Sequence, residues 1–213
     1  MMVGARIIAP EGYHQFEAGE VYHFLSSDSH RNRVRLIWFI NQDSDVSAEL
    51  ITISRVEFEE ALENGFLVGK GRDDYPPWLG SVQKKSIPFL ESLRSSQKER
   101  YEQKVDRRYL AISDLISRLD EVLESENPNL LINTHAKSYR PHQNAKRVRL
   151  WFYSYIVFGF NKWALMPIFH RIGKWDREKT PKKLGRPSPK GRKHGYPCTA
   201  EMVIPPEKSA RQK

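Results

Sequence analysis

The hydrophobic pattern of this chain changes period once, near Ile87, and that change limits the folds open to it. Before it, apolar residues come in short β-branched and aromatic runs. After it, they recur every three to four residues, the spacing of one face of a helix. A chain that switches in this way builds strands first and helices second. The expected class is therefore α+β: a small β-rich amino-terminal module, then a three-helix helix-turn-helix domain and a basic extended tail.

Residues 21–25, 33–40 and 48–53 are the strand candidates, separated by the turn-forming runs 26–32 and 41–47. Ser54, with Glu57 three positions on, predicts a capping box at the start of a helix over Arg55–Glu63, stopped by Asn64-Gly65. Residues 1–70 form this module. Residues 71–86, with Pro76-Pro77, Gly71 and Gly80, read as a linker in which Trp78 either docks on a neighbouring surface or anchors the linker itself.

The helical domain is placed at 87–174. Phe89, Leu90 and Leu93 begin it, and Leu110, Ile112, Leu115, Ile116, Leu119 and Leu123 predict a first long helix over 111–123. Asn127 as cap and Pro128 at the first position start a second helix that runs to about Lys137 and buries Leu130, Leu131 and Ile132. The run Ser138-Tyr139-Arg140-Pro141 ends it, and a third helix follows over 143–158, closed by Gly159.

Two short helices joined by a tight break behind a longer one outline a helix-turn-helix unit, whose last helix enters the major groove. On a helical wheel Val148, Trp151, Phe152 and Tyr155 make its core stripe. The other side carries Gln143, Lys146, Arg147, Leu150 and Tyr153, with Arg149 at the margin. Gln pairs with adenine, Arg and Lys with guanine, and an aliphatic chain touches a thymine methyl.

Charge supports the same partner. The net charge is +9, but residues 1–70 hold 6 Lys and Arg against 11 Asp and Glu, residues 71–141 hold 12 against 11, and residues 142–213 hold 17 against 4. A polycation behind an acidic head is the footprint of a protein that displaces counterions from a polyphosphate. Arg171 and Lys174 follow the third helix, and Lys182, Lys183, Arg186, Lys190 and Arg192 lie in the tail, 175–213. There Gly185-Arg186-Pro187 resembles the core of an AT-hook, which lays an extended Arg in a narrow minor groove, although Leu184 stands where that motif has an Arg.

The order of these parts resembles the amino-terminal, end-recognising region of the TnsB-like transposases, relatives of the phage Mu transposase. The resemblance rests on Arg149-Leu150-Trp151-Phe152 through Gly159, on residues 161–175, and on the Gly-Arg-Pro linker. It implies sequence-specific binding of double-stranded DNA at repeated transposon-end sites, with other transposition proteins as further partners. The Asp-Asp-Glu catalytic domain of that family lies beyond the matched region, so no catalysis is expected of this chain.

Other classes find less support. The carboxylates Asp73-Asp74 and Glu57, Glu59 and Glu60 lie in a linker and on a short helix, and the seven histidines lack ligand spacing, so no catalytic residue, metal or cofactor is expected. The single Cys198 excludes a disulfide framework, and no apolar run approaches a membrane span or a signal peptide, so the expected location is cytoplasmic. The alternative is a protein-interaction adaptor whose acidic head docks a partner and whose basic tail touches nucleic acid without preference. A third class, RNA binding, would use Trp151, Tyr153 and Trp163, but their helical spacing assigns most such aromatics to a core.

Overall fold

The residue order strand-turn-strand folds into an antiparallel meander, with short turns between β2, β3 and β4 and a longer connection, residues 9–20, between the first two strands: β1 (Ala5–Ile8), β2 (Val21–Asp28), β3 (Arg33–Asn41) and β4 (Val46–Ser54). The computed structural model describes residues 1–41, 45–84 and 100–167. After α1 (Arg55–Glu63), β5 (Val68–Arg72) returns to pair antiparallel with β1, giving the sheet order β4-β3-β2-β1-β5. Then come a 3₁₀ segment (Pro77–Lys84), α2 (Tyr101–Ser117), α3 (Leu119–Glu124), α4 (Pro128–Ser138), α5 (Ala145–Val157) and a 3₁₀ turn (Lys162–Leu165). The fold is α+β, with the sheet first and most of the helices after it.

Both faces of the sheet are covered. On one, Ile7, Tyr22, Phe24, Val34, Leu36 and Ile53 pack with Phe58 and Ala61 of α1. On the other, Leu25, Ile37, Phe39, Val46 and Ala48 share a core with the helices, through Val105, Ile112, Leu115, Ile132, Val148 and Phe152. Strand β3 supplies both faces, Val34 and Leu36 to one and Ile37 and Phe39 to the other, because successive side chains alternate across a strand. Such a strand reads as a continuous apolar run rather than as an alternation.

This shared core replaces two expectations. Residues 1–70 are not a separately packed module: they belong with the helices to one compact unit, Met1–Phe169, while a second unit, His170–Lys213, lies outside the described residues. Nor is 71–86 simply a linker, since β5 extends to Arg72 and Trp78 and Leu79 are buried in the core. Trp78 is the packed anchor. Its ring lies 4.9 Å from Phe39 of the sheet and 5.8 Å from Phe158 after α5. The core on the helix side of the sheet lets apolar area from both halves be removed from water together, which neither half achieves alone.

Glycine makes the closest approach possible at two points. Gly4 has φ +83°, and a side chain there would run into the Val157 carbonyl oxygen, so the start of β1 meets the end of α5. Gly159 has φ +77°, and a Cβ would come 2.9 Å from the Arg72 guanidinium carbon. Arg72 thereby carries a positive charge from β5 to the end of α5, the end at which helix carbonyls favour cations.

The helix boundaries depart from the sequence expectation at several points, and α2 already begins at Tyr101, ten residues before the expected start at 111. α1 spans Arg55–Glu63 as expected, but Ser54 makes no side-chain capping bond. The cap comes from Asn32 in the β2–β3 turn: its carbonyl oxygen accepts from Arg55 N at 3.1 Å and its Oδ1 from Val56 N at 3.3 Å, while its Nδ2 donates to Ser54 Oγ at 3.2 Å. The expected helix over 111–123 is interrupted at Arg118, whose φ of −114° and ψ of 35° end α2 before α3 begins. In α4, Ile132 is buried but Leu130 is 60% exposed. The start expected at Phe89, Leu90 and Leu93 lies outside the described residues.

Arg35 fixes the short α3 against the sheet. Its guanidinium, 2% exposed, donates to the backbone carbonyls of Leu123 and Ser125 and, at 3.4 Å, of Glu126, while Arg31 donates to that of Glu124. These carbonyls close a helix end that has no further turn to accept from, and cations satisfy them well.

Candidate nucleic-acid interface

Asparagine begins both helices of the candidate unit. Asn127 Oδ1 accepts from Leu130 N at 3.1 Å at the start of α4, and Asn144 Oδ1 accepts from Lys146 N at 2.9 Å and Arg147 N at 3.3 Å at the start of α5. Each side-chain oxygen meets amides that the helix itself leaves without a partner. Between them the turn 139–144 crosses over, tied by Gln143 N donating to the Ala136 carbonyl at 3.2 Å.

The turn and the helix start place a set of cations at the surface. Lys137, Arg140, Lys146 and Arg147 are all exposed, and His142 is exposed beside them. Arg140 donates to the His142 ring, 2.7 Å from Nε2. From Asn127 to Trp175 the sequence holds no Asp or Glu, so no carboxylate of this segment neutralises them. One carboxylate arrives from elsewhere: Asp45, just before β4, accepts from Lys146 Nζ at 2.8 Å across 101 residues of sequence. Lys146, with Arg147 beyond it, holds the Asp45 carboxyl below the usual carboxylate range.

The residues expected to read bases are thus not one uniform face. Lys146 and Arg147 are exposed, and Gln143 is half-buried with its Nε2 donating to the Pro141 carbonyl at 2.9 Å. Arg149 is half-buried, and its Nε has no hydrogen-bond partner. Leu150 lines a cleft of about 270 Å³ together with Arg147, Trp151 and Met166. Tyr153 must be withdrawn from the reading set: it is fully buried and its hydroxyl donates to Asn129 Oδ1 at 2.9 Å. Burial raises its phenol above the ordinary value.

The reason is the place of α5 in the fold. Viewed from α4 alone, the helix has an outer side, but β4, β2, α2 and the 3₁₀ turn Lys162–Leu165 pack on it as well. Its last two turns, from Phe152 to Val157, are therefore buried nearly all round, and only its first turns remain open. Trp151, assigned to the core stripe, is only partly buried and lies under the Arg108 guanidinium at 5.3 Å. Arg171, Lys174, Lys182, Lys183, Arg186, Lys190 and Arg192, with the Gly-Arg-Pro segment, lie outside the described residues.

Sequence reasoning left Arg140, His142 and Asp45 out of the contact residues, although it weighed His142 as packed or phosphate-facing. The first two had a signal, since they flank Pro141 immediately before the helix within the carboxylate-free run. Asp45 had none, because only tertiary packing brings the end of the β3–β4 connection to α5. Among the described residues no three His, Cys, Asp or Glu side chains are grouped to hold a metal ion, and no helix is long and apolar enough to cross a membrane. Comparison with protein-family models and with curated proteins finds no match.

Proposed function

We propose that this chain binds double-stranded DNA sequence-specifically, presenting the α4–α5 turn and the first turns of α5 to the major groove as a helix-turn-helix unit. The observation that carries this reading is the exposed group Lys137, Arg140, Lys146 and Arg147 on a capped helix-turn-helix outline, inside a segment without a single carboxylate. Recognition helices contact base edges mainly with their first turns, and those are the turns left open here. Gln143, Lys146, Arg147 and Arg149 are the readers in this proposal. The cations from Arg171 to Arg192 follow the duplex from there, and Arg186 lies in the minor groove.

The resemblance to the end-recognising region of TnsB-like transposases extends the proposal to repeated sites at transposon ends, with other transposition proteins as partners. The role is binding and positioning rather than strand cleavage or joining. The experiment is a binding selection with the full chain over a randomised duplex library, followed by anisotropy titrations of the selected duplex, an unrelated duplex and a single strand. A selected site preferred at least tenfold is the expected result, with Arg147→Ala weakening that preference at one or two positions. Equal affinity for all duplexes, or preference for the single strand, overturns the proposal.

A further inference from the structure

Lys146 and Asp45 form an exposed donor–acceptor pair where the first turn of α5 meets the sheet. The oxygen and nitrogen are 2.8 Å apart, and the side chains remain 52% and 64% exposed. The pair is not saturated. The ammonium has three hydrogens and spends one here, while the carboxylate has two oxygens and about four acceptor sites. The Lys146 and Arg147 amides of this helix start are already taken by the Asn144 side chain, which leaves their side chains to meet a ligand.

An exposed ion pair of this kind contributes less than about 1 kcal/mol, so it does little for folding and gives up its partners readily. Its chemistry matches one edge of DNA. In the major groove a G·C pair shows two adjacent acceptors, guanine N7 and O6, followed by the cytosine N4 donor at the end of the row. An ammonium suits the two acceptors and a carboxylate suits the terminal donor. An A·T pair sets its single donor between two acceptors, where a carboxylate would face like polarity on both sides.

We infer that Asp45 and Lys146 together read one G·C base pair, Lys146 donating to guanine and Asp45 accepting from cytosine N4. This rests on the duplex-binding proposal above and makes the acidic amino-terminal part of the chain a contributor to specificity. In the free chain Lys146, with Arg147, holds the Asp45 carboxyl below the usual carboxylate range.

The test is a binding selection over randomised duplexes with the full chain, comparing wild type, Asp45→Asn, Lys146→Gln and Lys146→Arg, each checked by thermal melting. Wild type should enrich G·C at one position by roughly tenfold. Asp45→Asn and Lys146→Gln, which remove the charges of the acceptor and the donor, should both weaken that preference at that position while the others persist, and Lys146→Arg, which keeps a cationic donor for guanine, should retain it. If Asp45→Asn instead raises affinity for every duplex alike and leaves the G·C preference intact, the carboxylate only competes with phosphate and the inference fails. A wild-type protein that selects a site with no G·C position dependent on these residues also overturns it, without touching duplex binding. One that selects no site removes both proposals.

Discussion

The imidazole of His23 lies 5.5 Å from the ring of Phe158 and 5.4 Å from that of Phe39, so a titratable group sits in the aromatic joint between sheet and helices. It is 3% exposed and its Nδ1 has no hydrogen-bond partner. Burial lowers its pKa from 6.5 to about 4. The unfolded chain therefore binds this proton at a higher pH than the folded chain does. Stability is complete above pH 6.5 and falls as pH drops towards 4, by about 3 kcal/mol in full at 1.36 kcal/mol per unit. Urea unfolding at pH 7 and pH 5 should show the loss, and His23→Phe should flatten it. The carboxyls of Asp28 and Asp45 are held below the usual carboxylate range, so their contribution is lost at lower pH than that of the histidine. Equal slopes in wild type and variant would show that the joint does not carry the effect.

The shared core predicts that neither half folds alone. A fragment of residues 1–70 leaves Leu25, Ile37, Phe39 and Ala48 without the helices that bury them, and a fragment of residues 71–213 loses β4 from the side of α5. Circular dichroism and amide exchange should show both fragments unfolded or molten. In the full chain, Phe39→Ala and Phe158→Ala should each cost about 3–5 kcal/mol. A cooperative melt of the 1–70 fragment would contradict this.

At the start of α1 the capping roles of Asn32 and Ser54 can be separated. Asn32→Ala removes the oxygen that accepts from Val56 and should cost about 1 kcal/mol, whereas Ser54→Ala removes no capping bond and should cost a few tenths at most. The reverse order in melting temperature would restore the local capping box.

Duplex affinity should fall steeply with salt, each neutralised phosphate adding about 0.9 to the log–log slope. Arg140→Ala and Arg147→Ala, both at exposed positions, should lower that slope by about one if they meet phosphate and alter base preference if they meet an edge. Tyr153→Phe should leave base preference unchanged and act on stability, because it removes the bond to Asn129 inside the core. A slope unchanged in both arginine variants would move the contact surface away from this turn.

The sequence by itself determined what depends on near neighbours: the runs that form β2, β3 and β4, the bounds of α1, the Asn127 cap with its proline, and the closure of α5 before Gly159. Each follows from spacing and turn chemistry within a few residues. It also determined where the cations gather, since a net charge by segment needs no fold. The tertiary structure decided which faces are covered. The run Leu36-Ile37-Trp38-Phe39 carried the signal of a strand buried on both sides, but α1 and the helices that bury it lie tens of residues away. For the same reason a wheel drawn on α5 left Tyr153 outside, when the packing around the helix put it in the core. Asp45 reached Lys146 only because the antiparallel register ends the β3–β4 connection beside α5, a proximity that a separation of 101 positions conceals from any local pattern.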